Sequence, residues 1–282
     1  YVELASEFRY RNPYIDPNSL VLTLSQSGET LDTLSALRYI KSKHPKIPTM
    51  SIGNQPLSTM AQESDLFWQT QAGTEVGVAT TKVFTAQLFC LQVLIAQLCK
   101  TPGYLEHWQS TPLALQQVLD METNIMTTAQ ELSKAKSLFF LGRGVQYAIA
   151  EEACLKVQEL AYIGCHAFAA GELKHGPLAL IDEHSTCVVL ISNDDLSEKL
   201  FANIEEIQAR KGNILAIGPT NQLNKLQQHT SCNSIQLPPT THSDSMCFMH
   251  IVAIQLLAYH LANERGCAID KPRNLAKCVT VE

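Results

Sequence analysis

The sequence predicts an α/β fold of parallel sheets flanked by helices, built as two copies of one plan. Three observations predict it. Short apolar, strand-like runs alternate with longer helix-like runs. A weak internal repeat relates the two halves at an offset of roughly 165 residues. The chain has 282 residues, more than one ordinary core needs, so two domains of roughly 100–150 residues each are expected.

The strand-like runs cover 20–24, 49–52, 66–69, 138–141, 186–191, 214–217 and 234–237. The helix-like runs cover 30–42, 79–100, 113–134, 146–163, 195–211 and 245–264. The repeat matches Ala5-Ser6-Glu7-Phe8-Arg9-Tyr10 with Ala170-Gly171-Glu172-Leu173-Lys174-His175. It also matches Val21-Leu22-Thr23-Leu24-Ser25 with Val188-Val189-Leu190-Ile191-Ser192. In the second copy a strand, the turn Gly142-Arg143-Gly144 and a helix precede the match. Nothing before Tyr1 answers them, so the first domain is expected to be incomplete at its N-terminus. The expected division is 1–134, 135–266, and a tail at 267–282 with little periodicity.

Composition narrows the class. The chain is 45% hydrophobic and 17% charged, as globular α/β proteins are, and carries a net charge of −6. An acidic chain without a Lys/Arg cluster gives no support to nucleic-acid binding. No membrane span is expected: the most apolar run, 83–98, is broken by Thr85, Gln87, Gln92 and Gln97 and reads as a buried helix. The nine cysteines are scattered, odd in number and without a Cys-x-x-Cys pair, which fits reduced thiols in a cytoplasmic protein and no metal site.

Five segments carry chemistry. The hexapeptide Ser25-Gln26-Ser27-Gly28-Glu29-Thr30 follows a strand and opens a helix. There, unpaired N–H groups and hydroxyls suit a phosphate; the alternative is a capped helix start. The segment 72–82, with Gly73, Gly77, Thr80 and Thr81, reads as a connecting loop or part of the ligand site. Glu152, Lys156 and Glu159 share one helix face, as a surface ion pair or as an active-site stripe whose carboxylate serves as a base. His175 stands in a Lys-His-Gly-Pro turn, as a structural residue or a proton shuttle. The tail holds Lys277, solvated or able to form a Schiff base with a carbonyl.

Together these segments resemble the isomerase half of the glutamine–fructose-6-phosphate amidotransferases, over essentially the whole chain. The most specific matches are the hexapeptide, 72–82, 169–182 and the ending 272–282. The resemblance implies a pair of sugar isomerase (SIS) domains that bind fructose 6-phosphate and convert it toward glucosamine 6-phosphate. It implies that Ser25, Gln26, Ser27 and Thr30 hold the phosphate and nearby hydroxyls, and that Val78 and Thr80 line the sugar site. Glu159 then moves the proton between C1 and C2, with Lys156 and Glu152 as charged neighbours. His175 opens the ring from the neighbouring subunit of a homodimer, and Lys277 forms the imine. No cofactor is implied. The family's Cys-Gly-Thr-Ser phosphate loop and its glutaminase domain have no counterpart within these residues, and Cys278 stands where the family usually has serine. An SIS module that senses a sugar phosphate without catalysis, or an inactive fragment, is the alternative reading.

Overall fold

In the computed structural model, which describes residues 1–100, 106–240 and 243–279, the chain forms two compact units. One comprises Tyr1–Pro102 with Asn274–Glu282, the other Gly103–Arg273.

The first unit runs α1 (Ala5–Phe8), a 3₁₀ turn (Arg9–Arg11), β1 (Val21–Ser25), α2 (Leu31–Lys43), β2 (Thr49–Gly53), α3 (Thr59–Glu63), β3 (Leu66–Gln69) and α4 (Lys82–Cys99). Its sheet is parallel in the order β1-β2-β3, with Leu22 opposite Met50 and Ser25 opposite Gly53. β2 is buried at every position, as a central strand covered on both faces must be. Leu34, Leu37 and Met60 pack with Phe67 on one side. Met50, Ile52 and Cys90 pack with Leu22, Trp68, Leu91 and Leu94 on the other.

The second unit runs α5 (Thr111–Asp120), α6 (Glu122–Leu132), β4 (Ser137–Gly142), α7 (Val145–Ala161), β5 (Gly164–Ala169), two 3₁₀ turns (Ala170–His175 and Pro177–Leu180), β6 (Thr186–Leu190), α8 (Ser197–Gln208), β7 (Asn213–Pro219), α9 (Thr220–Gln227), β8 (Asn233–Leu237) and α10 (Ser243–Glu264). Its sheet is parallel in the order β5-β4-β6-β7-β8. Leu173, Leu200, Ile204 and Ile207 pack against Phe139, Leu141, Val189, Ile191 and Ala216. α10 packs on α5, α6 and α7. The repeat is visible in the succession of elements: β1-α2-β2-α3-β3-α4 has the order and parallel pairing of β6-α8-β7-α9-β8-α10.

Three features differ from the expectations. The single helix expected over 113–134 is two, broken at Met121, whose ψ of 7° leaves the helical range. Both pieces pack on α10 and belong to the compact unit Gly103–Arg273. Residues 164–169 pair with β4 as an edge strand that the alternation did not announce, because Gly164 and His166 interrupt its apolar pattern.

The third difference concerns α4, expected to be buried. Only Val83, Cys90 and Ala96 are buried along it, and Phe89, Ile95 and Leu98 are exposed. By length and composition alone, Lys82–Cys99 and Asp244–Glu264 each suffice to cross a membrane, but the second is 78% buried as a core helix of its unit. An apolar pattern states what a helix can bury and not what covers it.

Candidate active site

In the first unit the hexapeptide loop 25–30 lies where β1 ends. Ser25 is buried, and its Oγ accepts from the Gly28 N–H at 3.0 Å and lies 3.0 Å from Thr30 Oγ1. Ser27 Oγ accepts from the Glu29 N–H at 3.1 Å. The Gln26 carbonyl accepts from the Asn54 N–H at 3.2 Å, which fastens the loop to the end of β2. The Glu29 carboxylate accepts from the Thr59 N–H at 2.7 Å and ties it to the start of α3. Gly28 sits at φ +68°, and a Cβ there would lie 2.2 Å from Ser58 Oγ, so both conformation and space demand glycine. The sequence thus produces a rigid turn at the N-terminus of α2 with three hydroxyls within six residues, the setting in which anions are bound.

The tail reaches this loop. Leu31, the first residue of α2, donates its N–H to the Val279 carbonyl at 3.1 Å, and Cys278 Sγ lies 3.3 Å from Ser27 Oγ. Beside it, Lys277 Nζ donates to the Gly77 carbonyl at 2.7 Å and to Glu75 Oε2 at 3.2 Å. Val78 and Thr80, both half-buried, follow in that segment. Thr280, Val281 and Glu282 of the closing motif lie outside the described residues.

In the second unit Glu152, Lys156 and Glu159 lie along α7 and are not a surface pair. The Lys156 side chain is 5% exposed; its Nζ pairs with Glu159 Oε2 and lies 3.6 Å from Glu152 Oε1. Burial pushes the Glu152 carboxyl up to about 7; the Glu159 charge adds to the rise and Lys156 opposes it. Glu152 Oε1 has no hydrogen-bond partner among the described residues. The Glu152 proton is therefore exchangeable near neutrality. His175 ends the 3₁₀ turn Ala170–His175, exposed, before Gly176 at φ +136°.

Sequence reasoning missed Glu75, because a glutamate inside a loop has no spacing that marks it and its partner lies two hundred residues away. It also passed over Asn54, whose amide donates to the Gly73 carbonyl at 2.7 Å and whose oxygen accepts from Thr70 at 2.8 Å. The repeat could have flagged a third point. The counterpart of the hexapeptide is Ser192-Asn193-Asp194-Asp195-Leu196-Ser197. There Asp194 accepts from the Leu196 N–H at 2.9 Å, so the loop is capped by its own carboxylate and repels an anion. Among the described residues no cluster of His, Cys, Asp or Glu is placed to hold a metal ion.

Comparison with known proteins bears on these residues. The SIS-domain pattern matches residues 1–97 and 131–265, one stretch in each half. A glutamine–fructose-6-phosphate aminotransferase (isomerizing) of Neisseria meningitidis is 44% identical over 100% of this chain and 47% of its own length. That of Escherichia coli is 45% identical over 100% and 47%. The chain therefore spans about half the length of these relatives. Among solved structures, the C-terminal domain of glucosamine-fructose-6-phosphate aminotransferase from Francisella tularensis is similar with a TM-score of 0.89 and 36% identity, over 96% of this chain and 78% of that one.

Proposed function

The chain belongs to the SIS-domain family, and from that premise we propose that it binds fructose 6-phosphate and isomerises the ketose toward the aldose. The observation that carries this reading is the tail: Lys277 is held by Glu75 and Gly77 while its neighbour Cys278 touches Ser27 of the anion loop. One short segment thus brings a nucleophilic amine to the loop suited to phosphate.

In this reading Ser25, Gln26, Ser27 and Thr30 hold the phosphate, and Val78 and Thr80 line the sugar. Anchoring the phosphate fixes the pose of carbons that react some distance away. His175 opens the ring, offered by the second subunit of a homodimer. Lys277 condenses with the C2 carbonyl, and the imine acidifies the C1–H bond. On the family's pattern Glu159 takes a proton from C1 and returns one to C2. Lys156 keeps its charge paired, and Glu152, titrating near neutrality, sets the charge of that strip. The amination in the relatives' names extends to this chain only with ammonia from a glutaminase partner, in a cytoplasmic setting. The 1–134, 135–266 and 267–282 division is retained as a proposal for the evolutionary units.

The test is direct. The chain is incubated with fructose 6-phosphate and formation of the 6-phosphate aldose is followed. Turnover that is lost in Lys277→Ala and in Glu159→Gln supports the reading. Phosphate-dependent binding without turnover in the intact chain leaves a sugar-phosphate sensor instead.

A further inference from the structure

We propose that Glu75 is the positioning residue for the Lys277 amine and the counter-ion of the imine that this amine forms. The proposal rests on the isomerase reading above. Glu75 lies in the segment joining β3 to α4, and its side chain is 4% exposed against 28% for Lys277. Its two oxygens have different partners. Oε1 accepts from the backbone N–H of Thr81 at 2.8 Å and of Val83 at 3.3 Å, at the start of α4. Oε2 faces Lys277 Nζ at 3.2 Å. One oxygen is thus fixed by a helix N-terminus, which favours an anion, and the other is aimed at the reacting nitrogen.

Lys277 Nζ also donates to the Gly77 carbonyl at 2.7 Å. Two of the three ammonium N–H bonds are spent on fixed acceptors, so attack proceeds through the third position. In the step itself the ammonium loses two protons in turn, one as the Nζ lone pair forms its bond to the carbonyl carbon and one as water departs. The carbonyl oxygen takes up protons and leaves as water as C=N forms. Ammonium plus carbonyl gives iminium plus water, so one positive charge stands at Nζ before and after. A carboxylate buried beside it balances that charge throughout and holds the nitrogen in one place. Simple capping of α4 would need Oε1 alone and would not require a charge.

Glu75→Gln separates the two roles, because an amide oxygen still accepts from Thr81 and Val83 while the charge is lost. Wild type and variant are mixed with fructose 6-phosphate and reduced with borohydride, and the adduct on the Lys277 peptide is quantified by mass spectrometry. Turnover and melting temperature are measured alongside. We expect trapping and kcat to fall together by about tenfold or more, with KM held by the phosphate contacts and Tm within about 2 °C. If the Gln variant melts early, Glu75→Asp decides. A counter-ion role has Asp trapping several-fold faster than Gln at matched folded fraction; equal trapping overturns the proposal. Wild-type trapping rates in Glu75→Gln also overturn it. If wild type itself forms no adduct, the isomerase reading falls and takes this proposal with it.

Discussion

Gly28 is the residue with the least freedom in the anion loop. Any side chain there meets Ser58 and must also hold φ +68°. Gly28→Ala is therefore expected to cost about 1–3 kcal/mol of stability and to weaken fructose 6-phosphate binding, readable by calorimetry and by thermal shift with the sugar phosphate present. Glu152 gives a second residue-level prediction, with a definite sign. Its carboxyl is raised from 4.5 to about 7 in the folded chain, so folding takes up a proton between those values. The stability it contributes is present below pH 4.5 and is lost as pH rises through about 7, an amount on the order of 3 kcal/mol at most. His250 opposes this: burial lowers it to about 4, so its contribution is lost as pH falls from 6.5 toward 4. The clean observable is the difference between wild type and Glu152→Gln in urea unfolding. The variant should gain on wild type from pH 5 to about pH 7 and level off above it, and a constant difference across that range would contradict the assignment. Of these residues Glu152 was legible in the sequence, through its spacing from Lys156 and Glu159. His250 was not, since nothing in the sequence tells a core histidine from an exposed one.

At the scale of elements, the strands and long helices were legible because period and length both point to them. What escaped was coverage. α4 and α10 read alike in sequence, each long and apolar, yet α10 is wrapped by α5, α6 and α7 while α4 exposes Phe89, Ile95 and Leu98. Leu257→Ala in α10 should cost about 2–5 kcal/mol. Leu98→Ala in α4 should stay within about 0.5 kcal/mol. Denaturant unfolding of the two variants checks both. The exposed stripe also predicts that Ile95→Lys with Leu98→Lys lowers self-association in light scattering, since contiguous apolar surface drives it. The break at Met121 was illegible for another reason: no Gly or Pro marks it, and it depends on how α5 and α6 meet α10.

At the scale of the molecule, two copies of one plan have diverged in the chemistry of one loop. The loop 25–30 offers hydroxyls, whereas its counterpart carries Asp194 and Asp195. Ser27→Asp should therefore abolish fructose 6-phosphate binding, whereas Asp194→Ala should leave it unchanged while lowering stability by about 1 kcal/mol through the lost turn hydrogen bond to Leu196. Binding by Ser27→Asp at wild-type affinity would remove the loop from the site. The repeat was readable in two short matches, but the closure of the first unit by Asn274–Glu282 was not, because it joins segments far apart in the chain. That closure has a consequence in time. At ordinary synthesis rates roughly ten to thirty seconds pass between the appearance of residue 102 and of residue 274. Throughout that interval α2 waits without the carbonyl that meets its first N–H, and Glu75 sits without its cation. The nascent chain can complete the second unit before the first, so Lys277 arrives at a place already built to receive it.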